Sequence, residues 1–504
     1  MTTTLVPARS GDPGDPGDAG LPAGPAEDRA EEKHRGWFAR HPAWPIGAYL
    51  VLYPLWWATG LADFMPSILI IPIGYRLYRW RAYHERKLRL PPGIGLWLIF
   101  LIIMLAGVFT ISQTAPQTVS GPVSGRLISY TFRATDYIGV TLMLLLAGNL
   151  TEKELSRKRL AWWMGLLGIY TVAGGLGGLL DKRFQFTALL YYLLPKSMQN
   201  NNGFIYVMMH PGFAEVMTIL GYAQGRVKAP FDYTNTWGEM LAILLPWLLV
   251  VWWTYGSRRE RRWALIVSFL ALMCTVISLD RGLWVGVGVG ILYLALRFAA
   301  RGRLGMLAGI FGVIALVGVI VVASPLQSLI QQRLQHGKSN AVRGSLSLIA
   351  VQDAVSSPLI GYGDSRHELG SVNSIAVGKT TKCNNCGSRD IGGNGQLWLL
   401  LISSGFLGTF FYLAFFAYGA IRYWRDPTPY GLAGVLVLLL GFVFMIVYQA
   451  IGAPLACTML SYAILWKNER VRRSEAIAAA AEAAPGDRFV WKSRSPAAPA
   501  PRVT

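Results

Sequence analysis

The sequence predicts an all-α fold: a polytopic integral membrane protein of about twelve transmembrane helices, with both termini cytoplasmic and two large extracytoplasmic loops. Three observations carry this. Of 504 residues, 53% are hydrophobic and 15% charged, and the mean hydropathy is +0.39, too apolar for a soluble chain of this length. Apolar runs close to the roughly 20 residues that a helix needs to cross a bilayer recur along the chain. The basic residues gather in short clusters between alternate runs. The formal charge of +20 therefore reads as cytoplasmic loops beside membrane lipid, and nucleic acid is excluded as a partner.

Residues 1–35 contain GDPGDPGDAGLPAGPAED, a tract that cannot bury enough apolar surface to fold and has no apolar h-region, so no cleaved signal peptide is expected. A membrane domain follows over 43–323, with runs at 43–62, 64–79, 92–113, 134–150, 160–180, 238–256, 263–280, 283–300 and 304–323. It resumes over 394–467 with runs at 394–420, 430–449 and 450–467. With the N-terminus inside, the basic segments 76–90, 151–160, 256–263, 297–305, 421–426 and 466–473 all fall in the cytoplasm. The loops 114–133, 181–237 and 324–393 then face outward, the last two being the large ones. The cytoplasmic tail, 468–504, is expected to hold a short helix from about Ser474 followed by disorder.

The glycine clusters GVGVG at 286–290 and GGLGG at 174–178 lie inside apolar runs with no preceding strand, where small residues let helices approach closely. No Walker-type lysine motif is present, so nucleotide hydrolysis is not expected and no cofactor is implied. Cys274 and Cys457 fall in apolar runs and read as buried small hydrophobes. Cys383 and Cys386 lie on the outer, oxidising side and read as a local disulfide. The alternatives are half a zinc site completed by His367 or His336, whose ligands the spacing does not announce, and a redox pair, for which nothing thioredoxin-like is present.

The loop 181–237 carries TALLYYLLP and FIYVMMHPGFAEVMTILGYAQ, apolar stretches broken by Pro195, Gly203 and Pro211, which suit interfacial or re-entrant helices better than full spans. Arg226 and Lys228 follow, just above the next run. Asp280 and Arg281 stand at the outer junction of two runs, where an ion pair at the interface competes with a functional role. The longest polar interruption, from about Ser324 to Gly408, carries Arg343, Asp364, Arg366 and His367.

Together these landmarks resemble the O-antigen ligase and O-antigen polymerase-like glycosyltransferases. The residues that carry the resemblance are Arg226-Val-Lys-Ala-Pro-Phe231 with Asn235, then Ser278-Leu-Asp-Arg281-Gly282, then Arg343 ahead of Ser357-Pro-Leu-Ile-Gly361-Tyr-Gly363, and Gly405-Phe-Leu-Gly408. They cover about residues 200–420 in the family's order; the earlier spans match in number only. One position departs. The family has a His-Asn pair ahead of the span after the large loop, its His being the proposed base, and this chain has Gly393-Asn394.

The resemblance implies a bacterial plasma-membrane enzyme of surface or exopolysaccharide synthesis. It would use a polyprenyl-diphosphate-linked glycan donor at the outer face and a glycan or lipid acceptor. The residue types fit independently, since a departing lipid diphosphate needs cations, and arginine grips phosphate bidentately without a metal. Arg226, Arg281 and Arg343 are the candidates for that role, with Lys228, Asn235, Asp364 and Asn394 as further binding residues. A base must relieve the acceptor hydroxyl of its proton. With no imidazole at Gly393, His367, Asp364 and Glu368 are the nearest candidates, and His367 is the expected base. Ligase and polymerase remain undivided. A transporter or flippase of lipid-linked glycan is the alternative class, disfavoured by few charges within the apolar runs and no repeat between halves.

Overall fold

The computed structural model describes residues 40–83, 86–199, 204–217, 224–322, 327–328, 331–332, 338–368 and 389–483. Cys383, Cys386 and His336 lie outside them, as do most of the N-terminal tract and the end of the C-terminal tail.

These residues are mostly helical. Four helices are each long and apolar enough to cross a membrane: Arg157–Leu180, Thr234–Thr254, Arg281–Ala299 and Gln396–Tyr423. A fifth is added if Tyr53–Thr59 and Ala62–Ala82, bent by 116°, form one broken span. The expected count of about twelve is not supported on this criterion, for two physical reasons. Several apolar runs make short helices, such as Pro429–Phe444 with 16 residues. Others join polar sequence, as in Val123–Asn149, which carries Arg126, Arg133 and Asp136, and Arg258–Ile277, which opens on a run of arginines.

The helical expectation holds, with a small addition. Two small antiparallel pairs stand in the large loops: Ala214–Met217 with Gln224–Val227, and Arg366–His367 with Asp390–Ile391. The apolar stretches of 181–217 form the short helices Leu189–Leu193, Lys196–Gln199 and Phe204–Met209 before the first of these strands. The tail does not start a new helix near Ser474; Ala453–Ala483 runs through that point without a break.

The basic clusters meet at one end of the bundle. Arg86 pairs with Glu154 at 2.9 Å, Lys158 lies close enough for its charge to act on Glu260, and Arg157 donates to Asn468 at 2.6 Å. Asn468 in turn donates to Asp426 at 2.7 Å, and Arg297 donates to the Asp426 carbonyl at 2.7 Å. All six segments that charge patterning assigns to one side are thus joined in space. At the other end, Thr118 bridges Glu368 and Ser129 donates to Asp364 at 3.1 Å.

Between these ends, small residues and aromatic rings set the packing, as expected where lipid supplies no hydrophobic drive for helices to associate. At Gly178 an added Cβ would lie 2.6 Å from the Phe213 carbonyl oxygen, so the GGLGG segment serves close approach. Trp97, Phe100, Tyr137, Tyr412 and Phe415 form a buried aromatic cluster, with Trp97 and Phe415 centroids 5.3 Å apart. Cys274 and Cys457 are free and buried.

The kink that positions the large loop lies at Gly405, whose φ of +65° interrupts Gln396–Tyr423. The backbone groups released there are taken up by the incoming segment: Tyr362 N–H donates to the Ile402 carbonyl at 2.8 Å and Gly363 N–H to the Ser403 carbonyl at 2.9 Å. A Cβ on Gly405 would meet the Pro358 oxygen at 2.6 Å. The Gly361-Tyr-Gly363 and Gly405-Phe-Leu-Gly408 motifs are therefore two halves of one backbone joint.

Candidate functional site

The site begins where Arg258–Ile277 ends. Ser278 caps that helix, Leu279 takes a left-handed φ of +53°, and Asp280 then caps Arg281–Ala299 by accepting from Gly282 N–H at 3.2 Å. A buried leucine in the left-handed region is strained, and the surrounding contacts must hold it there. This corner leaves the Ser278 carbonyl open to Arg226, whose Nε donates to it at 2.9 Å. The Arg226 guanidinium lies 4.0 Å from Asp280, and both side chains are buried. Arg226 is held from its own side by the strand Gln224–Val227, where it stands opposite Glu215.

Arg281 opens the next helix and is half-buried. The charges of Arg343, Arg226 and Asp280 act on it. Arg226 and Arg281 thus flank Asp280, and the charge of Arg343, on a third element, acts on Arg281. Like charges held this close repel unless a counter-charge joins them, so the cluster is suited to a dianionic or larger anion.

Arg343 is not in a loop, as a polar flank would imply, but on the helix Lys338–Ser356. Asn394 secures that helix: its Nδ2 donates to the Arg343 carbonyl at 3.3 Å and to Ser347 Oγ at 2.9 Å. Asn394 is buried, and its Oδ1 has no hydrogen-bond partner among the described residues. The segment 445–449 joins this turn to the Asp280 corner. Gln449 donates to the Gly392 carbonyl at 2.9 Å, Gln396 N–H donates to the Tyr448 carbonyl at 2.7 Å, and the Tyr448 hydroxyl donates to Asp280. Arg226, Asp280, Arg281, Arg343 and Asn394 therefore belong to one connected constellation.

The other candidates fall differently. Asp364 is buried in an ion pair with Arg133 and also accepts from Ser129 and from Ser365 N–H, so its carboxylate is committed internally. Arg366 is fully buried and donates to five carbonyls, including Ile111 and Gln113 at 3.1 Å, which makes it a brace for the loop. Burial, with Arg126 and Arg133 nearby, lowers its pKa to about 10. Lys228 is buried and its ammonium pKa is lowered by burial, while Asp232 and Glu215 pull it back up. It belongs with those acids. Asn235 is half-buried in the first turn of Thr234–Leu249. His367 is exposed, on the strand opposite Asp390, and Glu368 is buried.

Four residues of the site and its surroundings escaped sequence reasoning. Tyr448 and Asp390 matter only through contacts made across the fold. Asp136 and Glu239, both buried, lie in helices whose apolar flanks hid them; a lone acid within an apolar run was the available signal. Among the described residues no group of three or more His, Cys, Asp or Glu side chains is placed to hold a metal. No family model matches the chain, and neither does any curated protein or solved structure.

Proposed function

We propose that the protein is a membrane glycosyltransferase of the O-antigen ligase and polymerase type. In this reading the bundle crosses the membrane about twelve times by pairing short and broken apolar helices, the joined basic end faces the cytoplasm, and the arginine constellation lies at the outer face. The single observation that supports it best is the placing of Arg226 beside Asp280, with the charges of Arg226 and Arg343 both acting on the neighbouring Arg281. Their guanidiniums would take the diphosphate of a polyprenyl-linked glycan and stabilise the charge that develops on it as the anomeric carbon is attacked. The whole guanidinium contribution comes from the chain, and no cofactor is needed.

The deciding experiment is glycan transfer from a polyprenyl-diphosphate-linked glycan by the purified protein and its Arg343 variants. Arg343→Lys keeps the charge but loses the planar fork, so it should lose turnover nearly as strongly as Arg343→Ala. A well-inserted Arg343→Ala that turns over normally rejects this role for Arg343.

A second reading, movement of lipid-linked glycan across the membrane, draws support from acids within the helices. Glu239 lines a cavity of about 20 Å³, large enough for a water molecule, and its Oε2 has no hydrogen-bond partner among the described residues. Asp136 is buried and accepts from Gly452 N–H at 3.2 Å. Transport without chemistry returns the donor intact on the far side of a proteoliposome, whereas transfer releases free polyprenyl diphosphate.

A further inference from the structure

At the basic end of the bundle, far from the arginine constellation, an open cavity of about 400 Å³ is lined by Ser156, Lys158, Arg159, Trp162 and Trp163. Its volume falls in the range of about 300–1,000 Å³ usual for small-molecule sites. Two neighbours flank it. A Cβ added to Gly47, on the helix Trp44–Val51, would lie 3.1 Å from the Trp163 ring, so that indole is wedged against the helix. On the other flank the Lys158 ammonium lies 5.8 Å from the centre of the Tyr255 ring, beside the start of Arg258–Ile277.

The cations of this cavity lack a full complement of acids. Glu154 pairs with Arg86, and Glu152 lies 3.4 Å from Arg157 and 3.6 Å from Lys467. Glu260 is the acid nearest Lys158 in effect, and it accepts from Ser257 N–H at 2.6 Å. Arg159 is exposed and forms no ion pair among the described residues. An anion is therefore the complementary occupant. Ser156 accepts from Arg159 N–H at 3.1 Å as the helix cap, which leaves its hydroxyl proton to donate.

The surroundings say where the anion comes from. Trp162, Trp253, Tyr255 and Trp263 are all exposed beside the basic clusters, and indole and phenol rings next to cations mark the level of the lipid headgroups. Beyond Trp263, Arg258–Ile277 exposes Leu265, Ile266 and Phe269, an apolar surface that suits acyl chains. A soluble anion would use the cations alone, whereas a lipid uses the cations, the indoles and this face.

We infer that the cavity at Lys158 and Arg159 is a headgroup site for an anionic phospholipid of the cytoplasmic leaflet. Its phosphate lies between the two cations, its glycerol end lies against Trp162 and Trp163, and its chains descend along the neighbouring helix. The site rests on the cytoplasmic placing of this end in the reading above and not on glycosyl transfer. Its assay needs no turnover, so either can fail without the other.

The test places the full chain in phosphatidylcholine nanodiscs holding a minor fraction of photoactivatable phosphatidylglycerol, and locates the lipid adduct by mass spectrometry. The adduct should fall within 156–163, and photoactivatable phosphatidylcholine at the same fraction should give far less. Lys158→Gln with Arg159→Gln should lower it about fivefold or more, while the charge-keeping exchange Lys158→Arg with Arg159→Lys retains it. Arg81→Gln with Lys87→Gln, which removes two exposed cations elsewhere at this end, should leave it unchanged. Excess inorganic phosphate should not displace it. No adduct in 156–163, equal labelling by the two lipids, or labelling that survives the Lys158 and Arg159 glutamine pair overturns the inference. An equal fall in the Arg81 and Lys87 pair shows diffuse surface attraction instead of a site, and displacement by phosphate shows a soluble-anion site; each overturns it too.

Discussion

Asp280 is where stability and ligand binding should come apart. Its Oδ1 accepts from the Tyr448 hydroxyl and from Gly282 N–H, and Arg226 lies 4.0 Å away. Replacing it with alanine removes a helix cap, a loss of about 1 kcal/mol, and leaves a buried tyrosine hydroxyl unpaired, about 1–3 kcal/mol more. The Arg226 contact is too long for a charge-assisted hydrogen bond, and Arg226 keeps its bond to the Ser278 carbonyl, so that side adds little. The expected loss in Asp280→Ala is about 2–4 kcal/mol. Asp280→Asn retains Oδ1 as an acceptor and should lose less than half as much. Affinity for polyprenyl diphosphate should hold or rise in the asparagine variant, because a negative charge has left the arginines. Denaturant unfolding in detergent, paired with polyprenyl diphosphate titration, reads both quantities. An alanine variant within about 0.5 kcal/mol of wild type refutes the cap and hydroxyl tie, and a folded asparagine variant whose affinity falls tenfold refutes the view that Asp280 opposes the anion.

Two further outcomes are expected. Burial pushes Asp353 up to about 7, with Arg366 drawing it down, and neither carboxylate oxygen has a hydrogen-bond partner among the described residues. Between the ordinary carboxylate value of about 4 and about 7, the folded protein keeps a proton that the unfolded chain has released. Stability is therefore lost as pH rises through that window, and Asp353→Asn should flatten the fall in melting temperature between pH 5 and pH 8; an equal fall in both proteins rejects the assignment. Single cysteines introduced at 181–193 should react with an impermeant thiol reagent in intact cells while those at 256–263 are spared, and the reverse pattern would invert the orientation.

Periodicity and charge made much of the scaffold legible. The basic clusters at 76–90 and 466–473 are far apart in sequence, yet Asn149, Glu154, Arg157 and Asn468 link them at one end, because loops on one side of a bundle must share it. The arginines were legible as types in the right order. Their meeting was not, since Arg226, Arg281 and Arg343 are separated by more than 50 residues at each step, and the Leu279 corner and the Tyr448 segment bring them together. The helix Lys338–Ser356 was hidden by its polarity, which an apolar-run reading takes as loop. The span count diverged in part because Arg133 and Asp136 stand within the helix Val123–Asn149, where Arg133 pairs with Asp364 and Asp136 Oδ2 accepts from Gly452 N–H. Asp364 looked like a site residue because its partner Arg133 lies more than 200 positions away. The pairing expected for Cys383 and Cys386 lies outside the described residues.

The most direct measurement is equilibrium binding of polyprenyl diphosphate, against polyprenyl monophosphate, to the wild type and to Arg226→Ala, Arg281→Ala and Arg343→Ala in nanodiscs. Three guanidiniums converging on one anion predict that the wild type prefers the diphosphate, that each variant loses at least tenfold in affinity for it, and that added chelator changes nothing. Equal affinity for the two lipids, or diphosphate binding that survives all three substitutions, contradicts a donor site built from these arginines.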